Sequence, residues 1–129
     1  MMKTGIDISA YQGDIDFREV SRSGIDFVII KSNYGANTAD NFEKNYAGAK
    51  AAGLDCGAYV YSYALSESEA MLEAKACFQT LKYKKFEYPV FFDIEENKQF
   101  NLGKSKCSAI VKAFCETMED AGYFVGIYS

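Results

Sequence analysis

The sequence predicts an α/β fold on a parallel sheet, and three observations carry that prediction. Short apolar runs alternate with longer helical patterns along all 129 residues, which is the order of βαβ units. The run Phe27-Val28-Ile29-Ile30 is continuously apolar, as expected of a strand buried on both faces. Hydrophobic residues make up 49% of the chain, a share that fits a globular core rather than a disordered segment.

Taken in order, residues 3–9 read as the first strand, followed by a loop through Tyr11-Gln12-Gly13 and a short helix over 17–22. Residues 26–32 are the second strand. Phe42, Tyr46, Ala49 and Lys50 then fall at helical spacing within 41–52, and Gly53 follows as a stop signal. The third strand is 56–63. Ser66 with Glu69 three residues later predicts a capping box that opens a helix running to about Leu81. Residues 88–94 form the fourth strand, with Pro89 at its start, where a missing N–H costs least. A helix over 105–121 closes at Gly122, and 123–128 is the fifth strand. The expectation is one domain, 1–129, of five strands and about four helices. An eight-stranded β/α barrel needs about 200 residues or more, so the pattern fits either a barrel truncated after strand five or an open doubly wound sheet.

Composition narrows the function. The net charge is -4 and there is no Lys/Arg-rich run, so the electrostatic footprint of nucleic-acid binding is missing. No stretch approaches the ~20 apolar residues that span a bilayer, and residues 1–7 lack the pattern of a signal peptide, so neither membrane insertion nor an export signal is expected. There is no histidine, which rules out Ser-His-Asp and Cys-His triads and ordinary His-containing metal sites, and leaves carboxylates as the main proton carriers near neutral pH. Cys56, Cys77, Cys107 and Cys115 form no C-x-x-C unit and are read as scattered core thiols of an unbridged protein. Cys107 and Cys115, on one helix face, stand too far apart to bond to each other.

Asp93 and Glu95 stand two residues apart at the C-terminal end of the fourth strand, so alternation sends both side chains to one face and Ile94 to the other. Asp7, between Ile6 and Ile8 on the first strand, is expected to look toward the same mouth. Like charges this close raise a pKa, an arrangement more at home in a site than in a scaffold. Glycosidases use two carboxyl groups, ~5–5.5 Å apart for retention or ~6.5–9.5 Å for inversion, which three inward acids can supply. Spacing alone leaves a loop-capping role for Asp93 equally open. Glu96, Asn97 and Lys98 read as solvated loop residues. Tyr59, Tyr61 and Tyr63 share one parity on strand three. Tyr59, deeper, is expected in the core, whereas Tyr61, Tyr63 and Tyr128, nearer the strand ends, offer flat amphipathic faces suited to sugar rings.

Four motifs give these residues a family likeness: Gly-Ile-Asp-Ile-Ser-Ala-Tyr-Gln-Gly-Asp-Ile-Asp-Phe at 5–17, Val-Tyr-Ser-Tyr-Ala at 60–64, Phe-Asp-Ile-Glu at 92–95 and Gly-Ile-Tyr-Ser at 126–129. In order and spacing the chain resembles the N-terminal two-thirds of the glycoside hydrolase family 25 lysozymes. The resemblance implies an irregular, TIM-like β/α barrel that hydrolyses the β-1,4 bond between N-acetylmuramic acid and N-acetylglucosamine in peptidoglycan, outside the cell or at its wall, without metal or cofactor. It implies Glu95 as general acid, Asp93 orienting or polarising the substrate acetamido group or the intermediate, and Asp7 as the first-strand acid. Lys31, Gln12, Tyr61, Tyr63 and Tyr128 become substrate contacts. Retention is implied, through either a nucleophilic carboxylate or the substrate's own acetamido group. Phe17 stands where the family often has Trp, and Lys31-Ser32-Asn33-Tyr34-Gly35 where Lys-x-Thr-Glu-Gly is more usual. The family's later strands carry a further active-site Asp, so a chain stopping after strand five is expected to expose an edge open to self-association. Two other functions fit the same acids: a glycan-binding module or inactive fragment without catalysis, and a hydrolase holding Mg²⁺ or Ca²⁺ on Asp7, Asp93 and Glu95.

Overall fold

The computed structural model describes residues 2–9 and 13–128, with Tyr128 described in its backbone alone. In chain order the elements are β1 (Gly5–Ile8), α1 (Phe17–Arg22), β2 (Phe27–Tyr34), β3 (Asn37–Thr38), α2 (Phe42–Ala51), β4 (Asp55–Tyr61), α3 (Glu67–Leu81), β5 (Val90–Asp93), α4 (Asn97–Phe100), α5 (Lys104–Asp120) and β6 (Val125–Tyr128). The sheet runs β1-β2-β4-β5-β6 with every neighbouring pair parallel, and β3 is a short antiparallel addition to β2. The fold is thus mixed α/β on a mostly parallel sheet.

Each expected strand and helix forms, with ends shifted by a few residues, and two further elements appear. β3 has only two residues and leaves no periodic signal. α4 arises from residues expected to lie in a solvated loop. Asn97 and Lys98 are indeed exposed, but Glu96 is half-buried as the N-cap, its carboxylate meeting the N–H of Gln99 while the Gln99 side chain meets the N–H of Glu96. The expected box at Ser66 forms only in part. Ser66 Oγ accepts from the Glu69 N–H, but the Glu69 carboxylate turns to the N–H of Leu65 instead.

The sheet has two unlike faces. Val28, Ile30, Cys56, Ala58, Val60, Val90 and Phe92 are fully buried on one face, in a single core with Phe42 and Ala49 of α2, Ala74, Cys77 and Leu81 of α3, and Ile110, Phe114 and Met118 of α5. Phe92 stacks on Phe114 with ring centroids 4.3 Å apart, which fixes α5 over β5. The opposite face carries Phe27, Ile29, Phe91 and the tyrosines, and three strand glycines, Gly5 against the Phe27 ring among them, make room for it. A Cβ at Gly57 would fall 2.7 Å from Ile29 Cδ1, and one at Gly126 would fall 2.5 Å from the Phe91 ring. A doubly wound sheet would bury both faces under helices, whereas this core lies on one side. Cys56 and Cys77 are buried free thiols, and Cys107 and Cys115 are half-buried. Among the described residues no helix is long and apolar enough to cross a membrane.

Candidate active site

Register brings the site together. In parallel pairing Tyr34, Tyr61, Asp93 and Tyr128 fall in one row across β2, β4, β5 and β6, and Lys31 with Tyr59 falls two rows below. These rows lie at the C-terminal ends of the strands, where open parallel sheets place ligands. A cavity of about 360 Å³ opens there, lined by Lys31, Tyr59, Tyr61, Tyr63, Asp93 and Glu95.

Asp93 is 5% exposed and Ile94, on the other face, is equally buried, as the alternation predicts. Glu95 is exposed at the rim. Burial pushes the Asp93 carboxyl up to about 7, reinforced by a hydrogen bond with Glu95 and by the Glu95 charge; Lys31 opposes the rise and Asp7 adds to it. Asp93 therefore keeps its proton up to near neutral pH, with Glu95 as its acidic neighbour. Asp93 Oδ1 is buried with no hydrogen-bond partner among the described residues. Asp7 does not line the cavity. It stays open to solvent beside it, with its own carboxyl lifted by partial burial, and its charge reaches both Asp93 and Tyr59.

The aromatic wall is more extensive than the expected Tyr61 and Tyr63. Tyr59, expected in the core, is half-buried and faces the cavity; burial, and then the nearby Asp7, push its hydroxyl up to about 12. Tyr61 and Tyr63 tilt against each other with centroids 5.2 Å apart. The Tyr61 hydroxyl donates to Glu96 Oε2 at 2.5 Å, and this bond, followed by burial, raises its pKa. Lys31 Nζ stands 5.3 Å from the Tyr61 ring centroid and 5.8 Å from that of Tyr34, so its ammonium sits between two aromatic rings beside the acids. Gln12 and the Tyr128 side chain lie outside the described residues. Among the described residues no three acidic or sulfur side chains are placed to hold a metal ion.

Sequence reasoning misses three contributors. Tyr34 occupies the position where the expected motif has Glu, and that departure is its signal. Glu96 reads as a loop residue, although Glu and Gln three positions apart can cap a helix. Glu73, on α3, is 4% exposed and falls on the same helical stripe as Ala70, Ala74 and Cys77, a carboxylate at an apolar position.

Comparison with known proteins gives the family. The family model described as "Glycosyl hydrolases family 25" matches residues 6–129. The autolytic lysozyme of Clostridium acetobutylicum is 34% identical over 128 residues, covering 97% of this chain but 37% of that protein. The modular autolysin LytC from Streptococcus pneumoniae superposes with a TM-score of 0.88 at 28% identity, over 98% of this chain and 32% of that one. The same autolysin solved with a synthetic peptidoglycan ligand gives 0.88 at 27% identity, again over 98% of this chain and 32% of that one. A family 25 glycosyl hydrolase from Bacillus anthracis gives 0.84 at 26% identity, over 98% of this chain and 60% of that one. The chain thus spans well under two thirds of the length of these relatives. With its core motifs and its acidic cavity placed as above, the chain belongs to glycosyl hydrolase family 25.

Proposed function

We propose that this chain provides the acidic cleft of a muramidase that hydrolyses the β-1,4 bond between N-acetylmuramic acid and N-acetylglucosamine in cell-wall peptidoglycan, and that its sheet is an arc of the family's β/α barrel. The observation that carries the reading is Asp93, its carboxyl pushed up to about 7 by burial and by its neighbour Glu95, inside a tyrosine-lined cavity that both acids line. A glycosidase needs an acid still protonated at its working pH to protonate the leaving oxygen. Glu95, the exposed member, reaches the substrate as general acid. Asp93 stays behind it, and its buried Oδ1 is an acceptor suited to the acetamido N–H of the sugar.

Asp93, buried behind the exposed Glu95, is better placed to orient the substrate's acetamido group as the internal nucleophile than to attack the sugar itself. Asp7 adds negative potential that favours a developing oxocarbenium ion. Lys31, Tyr61 and Tyr63 bind the glycan, with Gln12 and Tyr128 as further contacts. Phe124, 85% exposed, and Ile127, 51% exposed, support self-association at the β6 edge, checked by sedimentation across concentrations.

Reducing-end release from purified peptidoglycan, by the parent and by Glu95→Gln with and without EDTA, tests the reading. Release that survives EDTA and is lost in Glu95→Gln is expected. Wall binding without release would favour the binding module, and loss in EDTA would favour the metal hydrolase.

A further inference from the structure

The tips of β4 and β5 are tied together by a buried polar network in which no described donor is left over. Ser62 Oγ donates to Glu73 Oε1 at 2.7 Å and accepts from Gln99 Nε2 at 3.0 Å and from the Ala64 N–H at 3.1 Å. Its one proton and both lone pairs are therefore used. The second Gln99 amide proton goes to the Ala64 carbonyl at 3.0 Å, and Gln99 Oε1 accepts from the Glu96 N–H at 3.1 Å. Glu73 Oε2 accepts from the Tyr63 N–H at 2.9 Å. Ser62 and Gln99 are fully buried, and Glu73 nearly so.

This network reaches the site at three points. The Ser62 N–H donates to the Asp93 carbonyl at 2.9 Å, Glu96 holds the Tyr61 hydroxyl, and Tyr63 hangs from Glu73 by its backbone. Glu73 itself does not line the cavity. A buried carboxylate is costly, and well-packed apolar groups would serve stability at least as well. What the polar version adds is direction, since each bond admits one donor and one acceptor.

We propose that Glu73, acting through Ser62 and Gln99, is a positioning residue that locks the tips of β4 and β5 and so sets how Asp93 and Glu95 face each other. Its catalytic meaning rests on the muramidase reading, but its geometric content does not. In Glu73→Gln the amide keeps one acceptor oxygen, so either the Ser62 O–H or the Tyr63 N–H loses its partner.

The test uses carboxyl-carbon NMR titration of Asp93 together with kcat and KM, on parent and Glu73→Gln, after circular dichroism has established the folded fraction. The leading charges acting on Asp93 are Glu95, Lys31 and Asp7. Because Glu73→Gln also removes a nearby buried charge, Ser62→Ala, which removes none, is titrated beside it. A midpoint lowered in both variants reports geometry, whereas one lowered in Glu73→Gln alone reports charge and overturns the proposal. The expected result is an Asp93 midpoint lower by about one pH unit. With it, kcat falls about ten- to a hundredfold, the effect of a misplacement of an ångström or less, at a KM within about twofold. An unmoved titration overturns the proposal, whatever happens to the melting temperature. If the parent releases no reducing ends the muramidase reading falls, while the titration still decides the network. Should Glu73→Gln fail to fold, Ser62→Ala, which removes only the central hydroxyl, decides alone: a lowered Asp93 midpoint supports the network and an unmoved one overturns it.

Discussion

Glu87, just before β5, and Asp93, at its end, are both acids whose charge burial opposes, Glu87 at the surface and Asp93 only 5% exposed. Their surroundings differ in sign. Burial works against the Glu87 charge, but Lys50 Nζ at 2.5 Å and the Cys56 N–H at 2.9 Å outweigh it and hold the carboxyl below its ordinary range. Burial also works against the Asp93 charge, and there the nearest partner is another acid, so the carboxyl rises to about 7. One end of the strand is arranged to be stable. The other accepts electrostatic cost to keep a proton, which is how a fold separates stability from chemistry along a single strand.

The largest effect that would break this contrast is at Glu95. Glu95→Gln is expected to lower kcat for reducing-end release by about 10²- to 10⁴-fold, the range typical of losing a general acid, with the melting temperature unchanged or higher. Asp93→Asn divides the two quantities more sharply. It is expected to cost about a hundredfold in activity. Because the folded pKa lies above the ordinary 3.8, Asp93 supports the fold fully only below that value, and its contribution is lost as pH rises through about 7. Asp93→Asn should therefore melt about 4 °C higher than the parent at pH 8, the shift that ~1 kcal/mol gives in a domain of this size, with the difference closing below pH 4. Calorimetry at both pH values reads it.

Lys31 sharpens the same comparison. Its ammonium lowers the Asp93 pKa, so Lys31→Met is expected to move the alkaline limb of the pH–rate profile upward by about one pH unit or less. A downward move would mean that Lys31 does not face the acid pair. The smallest effect lies at the other end of the strand. Lys50→Met should cost about 1 kcal/mol of stability and leave activity alone. Glu87's folded pKa is depressed, so its contribution is present above the ordinary 4.5 and lost as pH falls through the lower folded value; denaturant melts at pH 7 and pH 3 should show a smaller cost at pH 3.

Much of this is legible in the sequence because it depends on short-range patterns. Phe27 to Ile30 could only be a buried strand, Gly53 and Gly122 end helices at positive φ, and Asp93-Ile94-Glu95 fixes which side chains share a face. What is not legible depends on pairings across the fold. Tyr59 reads as core because depth along a strand does not reveal which face opens into a cavity. Glu96 reads as solvated until Tyr61 and Gln99 are placed beside it. Glu73 looks like one of several helix glutamates until α3 turns it inward against Ser62. The electrostatic coupling of Asp93 to Glu95 follows from side-chain placement that alternation alone does not specify.

The central claim is that Asp93, beside Glu95, holds its proton to near neutral pH, and direct carboxyl-carbon NMR titration of aspartate-labelled parent protein tests it. A resonance assigned by its loss in Asp93→Asn and titrating near pH 7 is the predicted result. An Asp93 already ionised by pH 5, with an ordinary carboxylate midpoint, would contradict it.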